Sequence, residues 1–157
     1  MLYPLVAWLV AALCVGVMLR VAFRIAALER PTVAELLARV AATSAELAKG
    51  SAREQVTLAE LDEQVRDIER ESHLGPELPQ GLARAALATG TAMAIIAAIA
   101  PRELSQRLVP AALSFSAGVA GAVAVALAGR WAKAKSREVR AYWSQILRKA
   151  RHQIKAE

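Results

Sequence analysis

Apolar residues fall into three long blocks along the chain, and charged residues occupy the stretches between the blocks. The blocks run from Leu2 to Leu19, from Ala85 to Ala100 and from Leu108 to Gly129, and none of them contains a charged residue. About 20 apolar residues in a helix cross about 30 Å of hydrocarbon. A water-soluble domain would instead spread its apolar residues at a helical or strand period. The pattern therefore predicts three membrane-spanning helices.

The second and third blocks are expected to form a helical hairpin, because only residues 101–107 connect them. The second block is short for a span. Leu82 and Ala83 extend it past Arg84, whose long side chain can reach the headgroups while its stem stays among apolar groups.

Polar helices are predicted outside the blocks. Pro31 ends the first helical run, and Thr32 with Glu35 has the spacing of a capping box, which starts a helix. Ser51 with Glu54 repeats that spacing, and this second helix is expected to end before the Gly-Pro pair at 75–76. A basic amphipathic helix is predicted after the third block. Its apolar face consists of Val139, Tyr142, Trp143, Ile146 and Leu147.

The predicted fold class is an all-α integral membrane protein with three transmembrane helices and cytoplasmic helical extensions. Four segments are expected from the pattern. They are a first transmembrane helix over 1–28, a cytoplasmic helical segment over 29–81, a transmembrane hairpin over 82–130 and a basic cytoplasmic C-terminal helix over 131–157.

The distribution of Lys and Arg predicts the orientation. Of the 20 Lys and Arg residues, none precedes the first block, nine lie between the first and second blocks, two lie in residues 101–107 and nine follow Gly129. Cytoplasmic loops carry the excess of these residues in membrane proteins. The middle segment and the tail are therefore expected in the cytoplasm, with the N-terminus outside. The basic tail is expected to meet anionic lipid headgroups.

Composition removes several classes of function. The net charge of +6 does not indicate nucleic-acid binding, because the cations flank apolar blocks and no aromatic stacking platform lies among them. His73 and His152 have no companion at ligand spacing, so no metal site is predicted. Cys14, the only cysteine, is expected to pack within the first block. An enzyme is the least expected class, since no nucleophile and base pair or phosphate loop can be assembled. No catalytic residue is assigned and no cofactor is implied.

Small and hydroxyl residues are the unusual feature of the last two blocks. The second block contains Thr89-Gly90-Thr91, and the third contains Ser114-Phe115-Ser116 followed by Gly118 and Gly121. One interpretation is helix packing, because small residues let backbones approach and hydroxyls bond to nearby carbonyls. The other is that the hydroxyls line a polar passage shared by a ring of subunits. A bare hydroxyl cannot hold and release a proton near neutral pH, so a proton pathway would need a carboxylate from a partner.

The order of these parts resembles that of the MotA/TolQ/ExbB proton channel family. The likeness covers most of the chain. Residues Ala88 to Met93 are similar to the Gly-Thr-Val stretch of the family's middle span. Residues Val109 to Gly118 are similar to the Ala-Pro, Ala-Leu, Thr-Ala and Gly pattern that opens its last span.

The resemblance implies a stator-like subunit of an ion-driven motor complex in the bacterial inner membrane. Such a subunit forms a homo-oligomer, with a pentamer expected, around the single spans of an ExbD/TolR/MotB-like partner that supplies a proton-carrying Asp. The N-terminus would then be periplasmic. Thr91 and Ser116 would face that Asp, with Thr89 and Ser114 as secondary candidates. Gly90, Gly118 and Gly121 would serve helix packing.

Two further interpretations stay open. The chain could be a non-conducting membrane adaptor or scaffold, which recruits a complex through its cytoplasmic helices. It could also be a holin-like pore former, since hairpins rich in small residues can oligomerise without partners.

Overall fold

The structure is a computed structural model that describes residues 2–28, 30–47, 53–100 and 104–156. The described residues contain helices and no strand. The helices are α1 (Leu2–Ala26), α2 (Val33–Leu47), α3 (Arg53–Ser72), α4 (Glu77–Ile99) and α5 (Leu104–Ala156). The prediction of an all-helical fold is confirmed for these residues.

Three helical stretches are long and apolar enough to cross a membrane. One is α1, the second ends at Ile99 and contains α4, and the third lies within α5. Each corresponds to one of the apolar blocks.

The helix α5 continues without a break for 53 residues, through the predicted segment boundary between residues 130 and 131. The change at that point is one of polarity and not of backbone. No Pro or Gly follows Gly129, and the Ala, Lys and Arg residues there favour a helix.

The chain forms two compact units. The first, which we call the apolar unit, comprises Met1–Arg24 and Leu74–Ala134. The second, the polar unit, comprises Ile25–His73 and Lys135–Glu157. These boundaries differ by four to eight residues from the predicted segment ends at 28, 81 and 130.

Small residues fill the interior of the apolar unit. On α1 the buried positions follow a spacing of three or four residues, as expected for one helix face. The buried side chains of the unit include Ala7, Ala11, Cys14 and Met18 of α1, Ala86 and Ala97 of α4, and Ala117, Val125, Ala128 and Ala132 of α5.

Contacts along the helices give the topology of the apolar unit. Gly129 of α5 lies against Pro79 near the start of α4, and Gly118 lies against Gly90 farther along α4, so these helices are antiparallel. Gly121 lies against Ala11 of α1. Ten residues farther along α5, Trp131 makes an edge contact with Phe23 of α1, with 5.7 Å between ring centroids. The helices α1 and α5 are therefore parallel.

The polar unit has a conventional apolar core. Leu36 and Val40 of α2 pack with residues of α5 at a spacing of three or four. Partly buried Ile68 of α3 and Tyr142 and Leu147 of α5 pack against this core. The buried residues of α5 in it are Val139, Trp143, Ile146 and Ala150. The predicted apolar face of the C-terminal helix is therefore confirmed.

The capping box at the start of α2 is also confirmed. The backbone N–H of Thr32 donates to Oε2 of Glu35 at 2.9 Å, and the backbone N–H of Glu35 donates to Oγ1 of Thr32 at 3.3 Å. The second predicted capping box begins at Ser51, which lies outside the described residues.

Candidate functional site

The helices α4 and α5 cross at a pair of glycines. An ideal Cβ atom built on Gly90 would lie 2.5 Å from Cα of Gly118, and one built on Gly118 would lie 2.8 Å from Cα of Gly90. Both distances are far below van der Waals contact. Only glycine at both positions lets the two backbones approach so closely.

Gly121 brings a third helix to this crossing. A Cβ atom on Gly121 would lie 2.7 Å from Cβ of Ala11 in α1 and 3.3 Å from Cβ of Ala86 in α4. The glycines and alanines of the three helices thus form one close-packed seam in the apolar unit.

Ser114 belongs to this seam. Its side chain is fully buried, and Oγ donates to the backbone carbonyl of Pro110 at 2.8 Å. Its own carbonyl oxygen would lie 2.9 Å from a Cβ atom on Gly90. The hydroxyl proton of Ser114 is bonded within its own helix, and packed atoms surround the side chain. Ser114 is therefore placed for helix packing and not for contact with a partner.

Ser116 and the two threonines have different environments. Ser116 is exposed and donates to the carbonyl of Leu113 at 3.0 Å. Thr91 is half-buried and donates to the carbonyl of Leu87 at 2.9 Å. Thr89 is also half-buried. In each bonded case the hydroxyl proton is used within the helix, while the oxygen keeps acceptor capacity.

The two serines of α5 lie on different sides of the helix. Two residues along a helix turn through about 200°, so Ser114 and Ser116 point to nearly opposite sides of α5. On α4, Thr89 and Thr91 flank the buried Gly90 on either side. The structure therefore does not gather the four hydroxyls on one surface of a single chain. Whether Thr91 and Ser116 face a partner's Asp stays a prediction.

A polar network in the polar unit was not predicted from the sequence. Oγ of buried Ser136 donates to the carbonyl of Ser72 at 2.6 Å, and Nη2 of Arg140 donates to Oγ of Ser136 at 3.1 Å. The same Arg140 nitrogen lies 3.5 Å from Nδ1 of His73. These groups fasten the C-terminal end of α3 to α5. The sequence signal for it is that Ser136 lies three residues before the apolar residue Val139, which places both on one side of the helix.

Ion pairs link the other elements of the polar unit. Arg151 of α5 donates to Asp62 of α3 at 2.5 Å, so α3 and α5 run antiparallel. Glu138 contacts Lys135 at 2.7 Å and Arg30 at 3.1 Å. The hydrogen bond from Lys135 is the main cause that lowers the pKa of Glu138, and Arg30 adds to it.

A groove of about 310 Å³ opens in the polar unit between α2 and α3. We call it the α2–α3 groove. Trp143 lines it, is 5% exposed, and its Nε1–H has no hydrogen-bond partner among the described residues. The other lining residues are Leu28, Pro31, Leu36 and Arg39 on one side and Gln64, Asp67, Ile68 and Glu71 of α3 on the other.

The residues that the structure describes contain no group of three or more potential metal ligands. Comparison of the chain with protein-family models, with curated proteins and with solved structures finds no match. The family resemblance of the sequence therefore stays a prediction.

Proposed function

We propose that the chain is a multi-pass membrane protein that forms a stator-like ring around the single span of a partner, and that the partner supplies a proton-carrying Asp. The ring is proposed to be a homo-oligomer, with five subunits expected from the family resemblance. Ion flow past the Asp would drive motion or force in the partner.

The outward-facing apolar surface supports membrane insertion. Only 28% of the apolar stretch of α1, 17% of that ending at Ile99 and 28% of that in α5 is buried within the chain. Leu2 is 71% exposed and Ile99 is 73% exposed. Small residues pack inside the apolar unit and large apolar residues face outward. Lipid or neighbouring subunits must cover this exposed apolar surface.

The ends of the helices support the proposed orientation. The contact between Phe23 and Trp131 pairs the ends of the first and third apolar blocks, and exposed Arg20 and Arg130 lie close to it in the sequence. Aromatic rings and cations concentrate where spans leave a membrane, with Lys and Arg on the cytoplasmic side. We therefore propose that this end is cytoplasmic and that the N-terminus is periplasmic in a bacterial inner membrane.

One observation carries the stator proposal. Thr91 and Ser116, the two hydroxyls that the resemblance assigns to the partner's Asp, lie off the buried seam, whereas Ser114 lies within it. Ser116 is exposed and Thr91 is half-buried, and the oxygens of both keep acceptor capacity. A second subunit or a partner span can reach them.

The three apolar blocks hold no ionisable carboxylate, so the proton carrier must come from the partner. A charged Asp is costly in low dielectric, and protonation removes that cost. Thr91 and Ser116 are proposed to accept a hydrogen bond from the protonated carboxyl group. The neutral Asp could then pass along the apolar wall, and the ring could step around the partner.

The first experiment is native mass spectrometry of the nanodisc-extracted chain, alone and co-expressed with a single-span protein that carries an intramembrane Asp. We expect a pentamer that retains such a partner. A monomer, with or without the partner, would refute the ring.

The second experiment measures proton flux into liposomes that contain the complex. Thr91→Val and Ser116→Ala are expected to lower the flux by about tenfold or more, because each removes an acceptor from the Asp path. Ser114→Ala is the matched control, since that hydroxyl is enclosed in the seam. Equal flux in all three variants would refute the assigned roles of Thr91 and Ser116.

The α2–α3 groove favours a second candidate function, that of an adaptor which recruits a complex through its polar unit. In that case charge reversal at Asp67 or Glu71 would abolish function, while Thr91→Val and Ser116→Ala would have no effect. The two candidates thus predict opposite results for Thr91→Val and Ser116→Ala.

A further inference from the structure

We propose that the α2–α3 groove binds a basic cytoplasmic segment next to the membrane span of the single-span partner, with one apolar side chain of that segment inserted into the groove. The proposal rests on the proposed function, since it takes the partner from there. It adds a second contact, away from the spans, through which ring and partner would be held in register.

The size and lining of the groove suit a side chain. Its volume of about 310 Å³ lies at the lower end of the range for small-molecule pockets, which is about 300–1,000 Å³. Leu36, Ile68 and Trp143 make its walls apolar. A large apolar side chain that enters the groove would be transferred out of water and would pack against these three residues, which favours binding.

Trp143 indicates what the occupant must carry. Its ring is 5% exposed, and its Nε1–H has no acceptor among the described residues. Buried donors nearly always have a partner in native proteins. The Nε1 atom itself is covered, so an occupant would reach it only after the indole ring turns toward the groove. A backbone carbonyl beside the inserted side chain would then provide the acceptor, as a peptide can and a hydrocarbon chain cannot.

The charges at the groove select the sign of the occupant. Asp67 and Glu71 lie on α3 one turn apart, and Arg39 of α2 is the cation among the described lining residues. Arg70, which lies 3.9 Å from Asp67, is outside that lining, and the pair is highly exposed, so it screens Asp67 only weakly. The described lining therefore carries a net negative charge. A segment next to a membrane span on the cytoplasmic side is rich in Lys and Arg. Its charge is complementary to the groove, whereas that of an anionic lipid headgroup is not.

The test uses the full chain in nanodiscs of zwitterionic phosphatidylcholine and three fluorescein-labelled heptapeptides. The basic probe is Lys-Arg-Lys-Leu-Lys-Arg-Lys. The second peptide replaces its Leu with Ser, and the third replaces its Lys and Arg residues with Glu. Binding is measured by fluorescence polarisation, with empty nanodiscs as the background.

We expect the basic probe to bind about tenfold more tightly than the Ser peptide, because only the Leu side chain fills the groove. The acidic peptide can meet the basic tail but not the groove, so its affinity should not change when Asp67 and Glu71 are neutralised. Asp67→Asn combined with Glu71→Gln should weaken the basic probe about fivefold. The matched control, Glu63→Gln with Glu69→Gln, removes two carboxylates of α3 that do not line the α2–α3 groove, and should change the affinity less than about twofold.

Several results would overturn the proposal. Equal binding of the Leu and Ser peptides, or equal weakening by the two double variants, would mean general charge attraction. Tighter binding of the acidic peptide in the Asp67→Asn and Glu71→Gln double variant would assign the groove to an anionic partner. Binding of the basic probe only after dilution dissociates the oligomer would assign the groove to a second copy of this chain. Because the probes contain no span, such results leave the pentamer and proton-flux tests of the proposed function standing.

Discussion

Gly90 and Gly118 face each other where α4 and α5 cross, so that a methyl group on Gly90 would lie 2.5 Å from the Cα atom of Gly118. The neighbouring atoms are backbone atoms, which cannot rotate away as the end of a side chain can. Any side chain at this point must push the two helices apart.

Gly90→Ala is therefore expected to destabilise the apolar unit by about 1–3 kcal/mol, the usual cost of overpacking. Thermal unfolding in detergent, followed by circular dichroism, measures the effect. Gly81→Ala is the control on the same helix, because no atom lies within 4 Å of a Cβ atom there. That variant should be neutral or stabilising by up to about 1 kcal/mol. Equal melting temperatures for the two variants would contradict the crossing geometry.

The two serines of α5 should respond differently to a larger side chain. Ser114 is fully buried in the seam, so Ser114→Val should cost about 1–3 kcal/mol through overpacking. Ser116 is exposed, so Ser116→Val should change stability by less than about 0.5 kcal/mol. Unfolding in detergent compares the two directly. A large loss for Ser116→Val would mean that its side chain is enclosed, either within the chain or by a neighbouring subunit.

Much of this fold was predictable, because block length and charge distribution are properties of the sequence. The three apolar helices and the capping box at Thr32 and Glu35 depend on local spacing alone. The predicted segment boundary near Arg130 marks a change from apolar to basic residues. One helix continues through it, because residues of high helix propensity continue on both sides.

The candidate site was predictable only in part. The local sequence made both Ser114 and Ser116 candidates for contact with a partner. One is buried and the other exposed because only one side of α5 packs against α4. The α2–α3 groove could not be predicted, since it joins Leu36, Ile68 and Trp143 from three separate helices. Contacts at long sequence separation have no signal in the spacing of one helix.

Ser136 is expected to contribute to the stability of the polar unit, although serine is usually a surface residue. Its Oγ donates to the carbonyl of buried Ser72, so Ser136→Ala leaves that carbonyl without this donor and should cost about 1–3 kcal/mol. Hydrogen exchange of α3 measures the loss. Ser144→Ala on the same helix is the control, because Oγ of exposed Ser144 donates to the carbonyl of Ala141 within α5 and not to α3. Unchanged exchange of α3 in Ser136→Ala would remove the proposed link between the helices.

The start of α2 depends on Thr32, whose Oγ1 accepts from the backbone N–H of Glu35. Replacement of a capping threonine by alanine costs about 1 kcal/mol, so Thr32→Ala should speed hydrogen exchange in the first turn of α2. Thr32→Ser keeps the acceptor and should restore most of the protection. Equal exchange in the alanine and serine variants would show that the hydroxyl does not hold the helix start.

Two carboxylates should make the polar unit sensitive to acid. The hydrogen bond from the backbone N–H of Thr32 is the main cause that lowers the pKa of Glu35 below its ordinary value of 4.5, and the bond from Lys135 does the same for the pKa of Glu138. A lowered pKa means that the folded state favours the charged form. The stability from these groups is therefore complete above the ordinary value, and it is lost as the pH falls through the lowered pKa values.

Hydrogen exchange of α2 and of the start of the polar part of α5, corrected for the intrinsic rate at each pH, should thus show a loss of protection as the pH falls below the ordinary carboxyl value of 4.5. Glu35→Gln should flatten that dependence in α2, and Glu138→Gln should flatten it around Lys135, since neither amide can titrate. Each variant serves as the control for the other region. If both regions keep their acid sensitivity in the double variant, groups other than Glu35 and Glu138 cause it, and the bonds to Thr32 and Lys135 do not stabilise the charged carboxylates.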